Sequence, residues 1–154
     1  MSATSAGNGT IIPRLAAGSM TDPAGNGNAA QTDSSDTVSY TAATYTVTLN
    51  QATGQSDPTN GLPINYTVVF SSAVGSSSFD VSDITQTGTA SGITWTLASA
   101  DQITWTLSAT AVTTPGTLIP QIASGRVVDA FGNQNGQSTS TDRTVTYDTT
   151  APTL

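Results

Sequence analysis

The chain has 154 residues, a formal net charge of −7, and no cysteine, histidine, lysine or glutamate. Its ten acidic residues are therefore all aspartates, and its three basic residues are Arg14, Arg126 and Arg143. This composition excludes disulfides and removes the side-chain bases that Ser, Cys and Thr nucleophiles use, so we expect a protein that is not an enzyme. Three scattered arginines cannot neutralise a phosphate backbone, so no nucleic-acid partner is expected.

The surface is predicted to depend on hydroxyl and amide groups for its solubility. Thr and Ser contribute 30 and 19 residues, whereas charged residues make up 8% of the chain, against about 25% in ordinary domains. No apolar run approaches the roughly 20 residues of a membrane-spanning helix, so membrane insertion is not expected. Because such a surface offers few sites to trypsin, we expect a secreted, extracellular or cell-surface protein.

Apolar and polar residues alternate in two-residue steps, which predicts β-strands. The predicted strands are residues 45–49, 64–70, 79–85, 93–97, 103–107, 116–123 and 144–147. Ile-Thr-Trp-Thr-Leu occurs twice, and the five residues between the copies, 98–102, suit a hairpin loop. The predicted core comprises Ile64, Tyr66, Val68, Phe70, Ile93, Trp95, Leu97, Ile103, Trp105 and Leu107.

Seven short strands with turn signals between them predict an all-β fold, an antiparallel immunoglobulin-like β-sandwich of about seven strands. A self-match extends this prediction, because residues 9–47 align with residues 116–154 at a constant offset and share 15 identities. Residues 44–148 are therefore interpreted as one complete domain and residues 149–154 as a junction. Residues 1–43 are interpreted as the C-terminal part of a preceding repeat, contributing two strands of an incomplete copy.

Two strands alone cannot bury a core. The chain is therefore either an excerpt from a tandem array or a subunit whose N-terminal strands dock onto a neighbouring chain, giving head-to-tail self-association with identical chains or neighbouring repeats. A third alternative is that residues 1–40 do not fold. The candidate assembly residues are Ile11, Ile12, Leu15, Val38 and Tyr40.

The pattern Asp-x-x-Gly-Asn-x-Asn occurs once in each copy of the repeat. The candidate residues are Asp22, Asn26 and Asn28 in the first copy, and Asp129, Asn133 and Asn135 in the second. Carboxylate and amide oxygens at this spacing are possible Ca²⁺ ligands, although no Glu completes an EF-hand loop. The same residue types are also the commonest turn formers, which leaves a structural turn as the alternative. No other cofactor is expected.

The sequence leaves two further kinds of site undecided. Trp95 and Trp105 form either a sugar-stacking platform or part of the core. Asn8 and Asn65 each begin an Asn-x-Thr glycosylation sequence, and the strand alternation places Asn65 on the outward face.

Several motifs stand together in one order. They are Leu49-Asn50-Gln51-Ala52, the segment 55–60, the strand 63–70, the segment 129–133, and the closing Asp148-Thr149-Thr150-Ala151-Pro152. This order resembles the tandem bacterial immunoglobulin-like repeats of large surface adhesins and biofilm proteins. The resemblance implies a structural, non-catalytic module of an extracellular fibre, stalk or adhesin, assembling head-to-tail through β-strand docking. The alternative function is a carbohydrate-binding or other ligand-binding β-sandwich module of a surface protein.

Overall fold

The computed structural model describes residues 9–31, 37–40, 45–75 and 77–153. The chain divides into two compact units, residues 1–43 (unit 1) and residues 44–154 (unit 2). Unit 1 contains the strands β1 (Gly9–Ile11) and β2 (Val38–Tyr40). Unit 2 contains β3 (Val47–Gln51), β4 (Ile64–Phe70), β5 (Ile84–Gln86), β6 (Ser91–Ser99), β7 (Thr104–Thr114), β8 (Gly116–Leu118), β9 (Pro120–Ile122) and β10 (Val145–Tyr147).

Every pairing between two of these strands in unit 2 is antiparallel, and isolated parallel bridges join Thr48 of β3 to Thr139 and Tyr147 of β10 to Thr59. One sheet has four strands in the order β3-β4-β7-β6, and two further pairs are formed by β5 with β9 and by β8 with β10. The described residues contain no α-helix; their one helical segment is a 3₁₀ turn at Val81–Asp83. The prediction of an all-β, antiparallel fold is therefore confirmed at this level.

The core of unit 2 is a single apolar cluster to which the four-stranded sheet and the two further strand pairs contribute. Ile64, Tyr66, Val68, Phe70 and Leu107, all predicted core residues, are at most 1% exposed. Ile93, Trp95, Leu97 and Trp105 are half-buried and pack against this cluster. A row of aromatic contacts joins Tyr45 to Phe70, Phe70 to Phe79 and Phe79 to Trp105, with ring centroids 5.1–5.5 Å apart.

The prediction that Ile103 belongs to the core is wrong. Ile103 is 37% exposed and lies in the loop before β7. β6 extends to Ser99, and the Asp101 carboxylate accepts the backbone N–H groups of Ile103 and Thr104 at 2.9 and 2.7 Å. This side-chain acceptor holds Ile103 in the turn, so the hairpin loop is shifted from the predicted residues 98–102.

Two other predicted strands differ from the observed ones. Residues 79–85 begin as the 3₁₀ turn, because Asp80 accepts the Ser82 N–H at 2.6 Å and Asp83 accepts the Asp80 N–H at 3.0 Å; only Ile84–Gln86 is a strand. Residues 116–123 form two short strands instead of one, since β8 pairs with β10 and β9 pairs with β5.

Replacing the fully buried Leu107 by alanine is expected to lower the free energy of unfolding of unit 2 by about 2–5 kcal/mol, through lost burial and the cavity left behind. Val69, on the outward face of β4 and 38% exposed, provides the control, and Val69→Ala should cost less than about 1 kcal/mol. Urea unfolding followed by tryptophan fluorescence measures both values. Equal losses for the two variants would contradict the assignment of the core face.

Candidate functional site

The repeat that is visible in the sequence is also a repeat of backbone pairing. In unit 1, β1 pairs with β2 through Gly9↔Tyr40, Thr10↔Ser39 and Ile11↔Val38. In unit 2, β8 pairs with β10 through Gly116↔Tyr147, Thr117↔Thr146 and Leu118↔Val145. Each pair in the second set lies 107 residues after its counterpart in the first. We refer to residues 9–40 as the unit 1 copy and to residues 116–147 as the unit 2 copy.

The aspartate of each copy organises a tight turn. Asp129 Oδ1 accepts the backbone N–H groups of Phe131 and Asn133 at 2.8 and 2.9 Å, and its Oδ2 accepts the Asn133 side-chain amide at 2.8 Å. Asp22 makes the same three bonds 107 residues earlier, at 2.9, 2.8 and 2.9 Å. Asp at this position is therefore an acceptor for the turn that follows it.

The last asparagine of each motif bridges the two arms of the segment. Asn135 Oδ1 accepts the Val127 N–H at 2.8 Å, and its Nδ2 donates to the carbonyls of Ala123 and Gly136 at 2.9 and 2.7 Å. Asn28 forms the three corresponding bonds at 2.9, 3.0 and 2.8 Å. The amide thus satisfies backbone groups that the irregular chain path leaves without ladder partners.

The two copies differ in the exposure of their apolar side chains. Leu15, Met20 and Val38 are 39%, 60% and 61% exposed, whereas their counterparts Ile122, Val127 and Val145 are fully buried. In unit 2 the four-stranded sheet covers these positions, and its Tyr66 hydroxyl donates to the Leu118 carbonyl at 3.3 Å. The unit 1 copy has the same local bonds but leaves this apolar flank in contact with solvent.

The predicted assembly residues are only partly in strands. Ile11, Val38 and Tyr40 belong to β1 and β2, whereas Ile12 and Leu15 follow the end of β1. In unit 2 the residues equivalent to 13–15 form β9, which exists because β5 pairs with it. The described part of unit 1 contains no counterpart of β5. Met20 is not among the candidate assembly residues, although its aligned residue in unit 2, Val127, is apolar and indicates a buried position.

Both turn carboxylates are held in their ionised form. Burial alone raises the pKa of Asp129, but the Asn133 side-chain amide and the backbone N–H groups of Asn133, Phe131 and Gly132 outweigh it, so the net pKa lies below its usual value. The Asn26 side chain, with backbone N–H groups of the turn, likewise lowers the pKa of Asp22.

The geometry favours the turn interpretation of these six residues over the calcium interpretation. N–H donors point at the carboxylate oxygens, and a cation would have to displace them. Among the described residues, no group of three or more His, Cys, Asp or Glu side chains could hold a metal ion. Calcium binding therefore remains a prediction from the sequence pattern alone.

The remaining candidate sites have different surroundings. Asn65 lies on the face of β4 opposite Ile64 and Tyr66 and is half-buried, and its Oδ1 accepts the Ser108 hydroxyl at 2.7 Å. Asn8 lies outside the described residues. Trp95 packs edge-on against Tyr66 with centroids 6.0 Å apart, and Trp105 against Phe79, which favours the core interpretation over a sugar platform.

Comparison of the chain with protein-family models, with curated proteins and with solved structures finds no match. No helix in the described ranges has the length and hydropathy needed to cross a membrane.

Asn135→Ala should lower the free energy of unfolding of unit 2 by about 2–3 kcal/mol, because it leaves the buried Val127 N–H and two carbonyls without their partner. Asn28→Ala, which removes the matching bonds from unit 1, should leave this transition unchanged within about 0.5 kcal/mol. Both tryptophans lie in unit 2, so their fluorescence during urea unfolding reports that unit. A similar loss for both variants would contradict the assigned role of Asn135.

Acidification tests the role of the Asp129 charge. Since the pKa of Asp129 is lower in the folded state than in the unfolded state, its contribution to stability is present above the unfolded pKa and is lost as the pH falls through the folded value. Unfolding free energies measured from neutral pH to about pH 2 should therefore decline less steeply for Asp129→Asn than for the wild type. An unchanged slope for Asp129→Asn would refute this role.

Proposed function

We propose that the chain is a structural, non-catalytic module of an extracellular fibre, stalk or adhesin whose modules join end to end. The observation that supports this function is the difference between the two copies of the repeat. The unit 1 copy has the strand register and turn bonds of a piece of a folded domain, yet its Leu15, Met20 and Val38 are exposed. A segment of this kind is completed by a neighbour that supplies the covering strands.

Unit 2 is proposed to be an immunoglobulin-like sandwich. Its sheet order β3-β4-β7-β6 corresponds to strands A-B-E-D of that fold, and β5, β8–β9 and β10 correspond to strands C, F and G. In this assignment strand F is divided, because Ile119 separates β8 from β9. This assignment groups the eight strands of unit 2 into seven, with one apolar cluster between the two layers.

We infer the partner of the unit 1 copy from the elements that cover the unit 2 copy. Its completion requires a sheet equivalent to β3-β4-β7-β6 and a strand equivalent to β5. These are the elements of residues 45–114. Either a neighbouring repeat of a longer chain or a second chain can provide them, and both arrangements join modules head-to-tail.

The composition supports the proposed location on a cell surface or in a biofilm matrix. The outward face of the four-stranded sheet carries hydroxyl side chains, among them Thr48, Thr96 and Thr106, all exposed. The chain offers trypsin only three arginines. A surface with few charges and few protease sites suits a load-bearing element outside the cell.

An extended chain tests the end-to-end proposal. Residues 45–115 are placed directly before Gly9, which reproduces the spacing between those residues and Gly116. We expect the added strands to cover the unit 1 copy and to slow trypsin cleavage after Arg14, which is exposed in the 154-residue chain. Cleavage at Arg14 followed by mass spectrometry measures this protection.

The matched control is Val38→Asp in both chains. Val38 is 61% exposed in the original chain, so the substitution should have little effect there; in the extended chain it should abolish the protection, because an unpaired charge would be buried. Equally fast cleavage at Arg14 in the original and extended chains would refute the proposal.

A further inference from the structure

The strand β6 is an edge strand of the four-stranded sheet, and the 3₁₀ turn Val81–Asp83 is the one non-strand element that lies close to it among the described residues. β3, the opposite edge, is covered by residues of the 135–142 segment, with the Leu49 N–H donating to the Thr139 carbonyl at 2.9 Å. β6 pairs only with β7 among the described residues. Natural edge strands are usually short, charged, interrupted by proline or bulged, which prevents unwanted pairing. β6 has nine residues and neither a charge nor a proline.

The irregularity in this part of the sheet belongs to β7 and not to β6. Thr94 pairs with Ala111 and Trp95 with Ala109, so Thr110 of β7 is the extra residue of a bulge. In β6 the half-buried and exposed residues alternate without a break from Ile93 to Ala98. Only Gly92, with φ of 63°, departs from extended geometry near the start of the strand. The stretch from Ile93 to Ser99 is therefore a regular strand.

The hydrogen-bond pattern shows which backbone groups face the open side. The Phe70 N–H donates to the Ile103 carbonyl at 3.0 Å, so the odd-numbered residues of β7 up to Ala109 face β4 and the even-numbered ones face β6. Thr96 and Ala98, which pair with Ser108 and Thr106, therefore face β7. The N–H and C=O groups of Ile93, Trp95 and Leu97 consequently point to the open edge.

The sequence of β6 is nearly the same in both directions. Read outward from Trp95, the residues match in type: Thr94 with Thr96, Ile93 with Leu97, Gly92 with Ala98, and Ser91 with Ser99. An antiparallel strand pair related by a two-fold axis through Trp95 would place each of these residues opposite its match. Self-complementarity of this kind is what an isologous interface requires.

We propose that two copies of this chain associate by antiparallel pairing of their β6 strands about a two-fold axis at Trp95. Trp95 then faces Trp95 of the second copy as a hydrogen-bonded pair, flanked by two Ile93–Leu97 pairs. The three pairs form about six backbone hydrogen bonds, two for each. The two four-stranded sheets become one continuous sheet, with the core faces of both copies on the same side.

The side-chain surroundings favour a second copy over an unrelated extended segment. Ile93, Trp95 and Leu97 are only half-buried in the single chain, and their counterparts in the second copy are apolar side chains that cover them. On the other face, Thr94 lies opposite Thr96, without any charge to repel. The pairing uses unit 2 alone and does not depend on the completion of the unit 1 copy.

Cysteine substitution tests the register of this pairing directly, because the chain has no cysteine of its own. Thr94 and Thr96 of opposite copies would form a non-hydrogen-bonded pair with Cα atoms about 4.5 Å apart, within the range that a disulfide spans. Under mild oxidation, a mixture of Thr94→Cys chains and Thr96→Cys chains should form the mixed disulfide at least about tenfold faster than either variant crosslinks with itself. Mass spectrometry of the linked peptides identifies the bond.

The control and a second test use residues on the same face of the sheet as Thr94 and Thr96. Thr106→Cys, one strand inward, should show no preference for either partner. In sedimentation experiments, a chain with Thr94→Asp and Thr96→Asp should lose the pairing, and so should a chain with Thr94→Arg and Thr96→Arg, whereas their mixture should regain it. Equal crosslinking rates in all combinations, or no change in association for the like-charged variants, would overturn the proposal.

Discussion

The stability of unit 2 depends on the packing of residues 116–147 against its four-stranded sheet. In unit 2, Leu118, Ile122, Val127 and Val145 are fully buried because the strands of residues 45–114 lie over them. Burying a side chain of this size stabilises a fold by about 1.5–3 kcal/mol, so losing the cover would remove much of the net stability of a domain. The unit 1 copy, with Leu15, Met20 and Val38 exposed, lacks this contribution.

Local and long-range interactions have separate roles in the two copies. The bonds of Asp22 and Asn28 reach no further than 12 residues along the chain, and those of Asp129 and Asn135 have the same separations. Such bonds set the path of the segment whether or not a sheet covers it. Exposure, in contrast, is determined by strands that are distant in sequence. This explains why one sequence motif has the same shape in two different surroundings.

The sequence predicted the parts of the structure that follow from alternation and repetition. Alternation predicts the strands around Tyr66, Trp95 and Leu107, and the repeat predicts a matching turn in each copy. Ile103 and the start of the segment at Phe79 were not, because the carboxylates of Asp101 and Asp80 bend the chain there. Leu15 lies outside a strand whereas its equivalent Ile122 lies in β9, because β9 pairs with β5 and a strand needs a partner. The direction of the N–H groups around Asp129, which bears on the calcium prediction, depends on backbone torsions that residue type alone does not specify.

Amide hydrogen exchange tests whether the unit 1 copy is part of a module that a neighbour completes. Exchange should be compared between the protein in its native assembly and the 154-residue chain alone. We expect the amides of residues 9–40 to be protected in the assembly as strongly as those of residues 116–147, and to exchange much faster in the isolated chain. Equally fast exchange of residues 9–40 in both samples would contradict it.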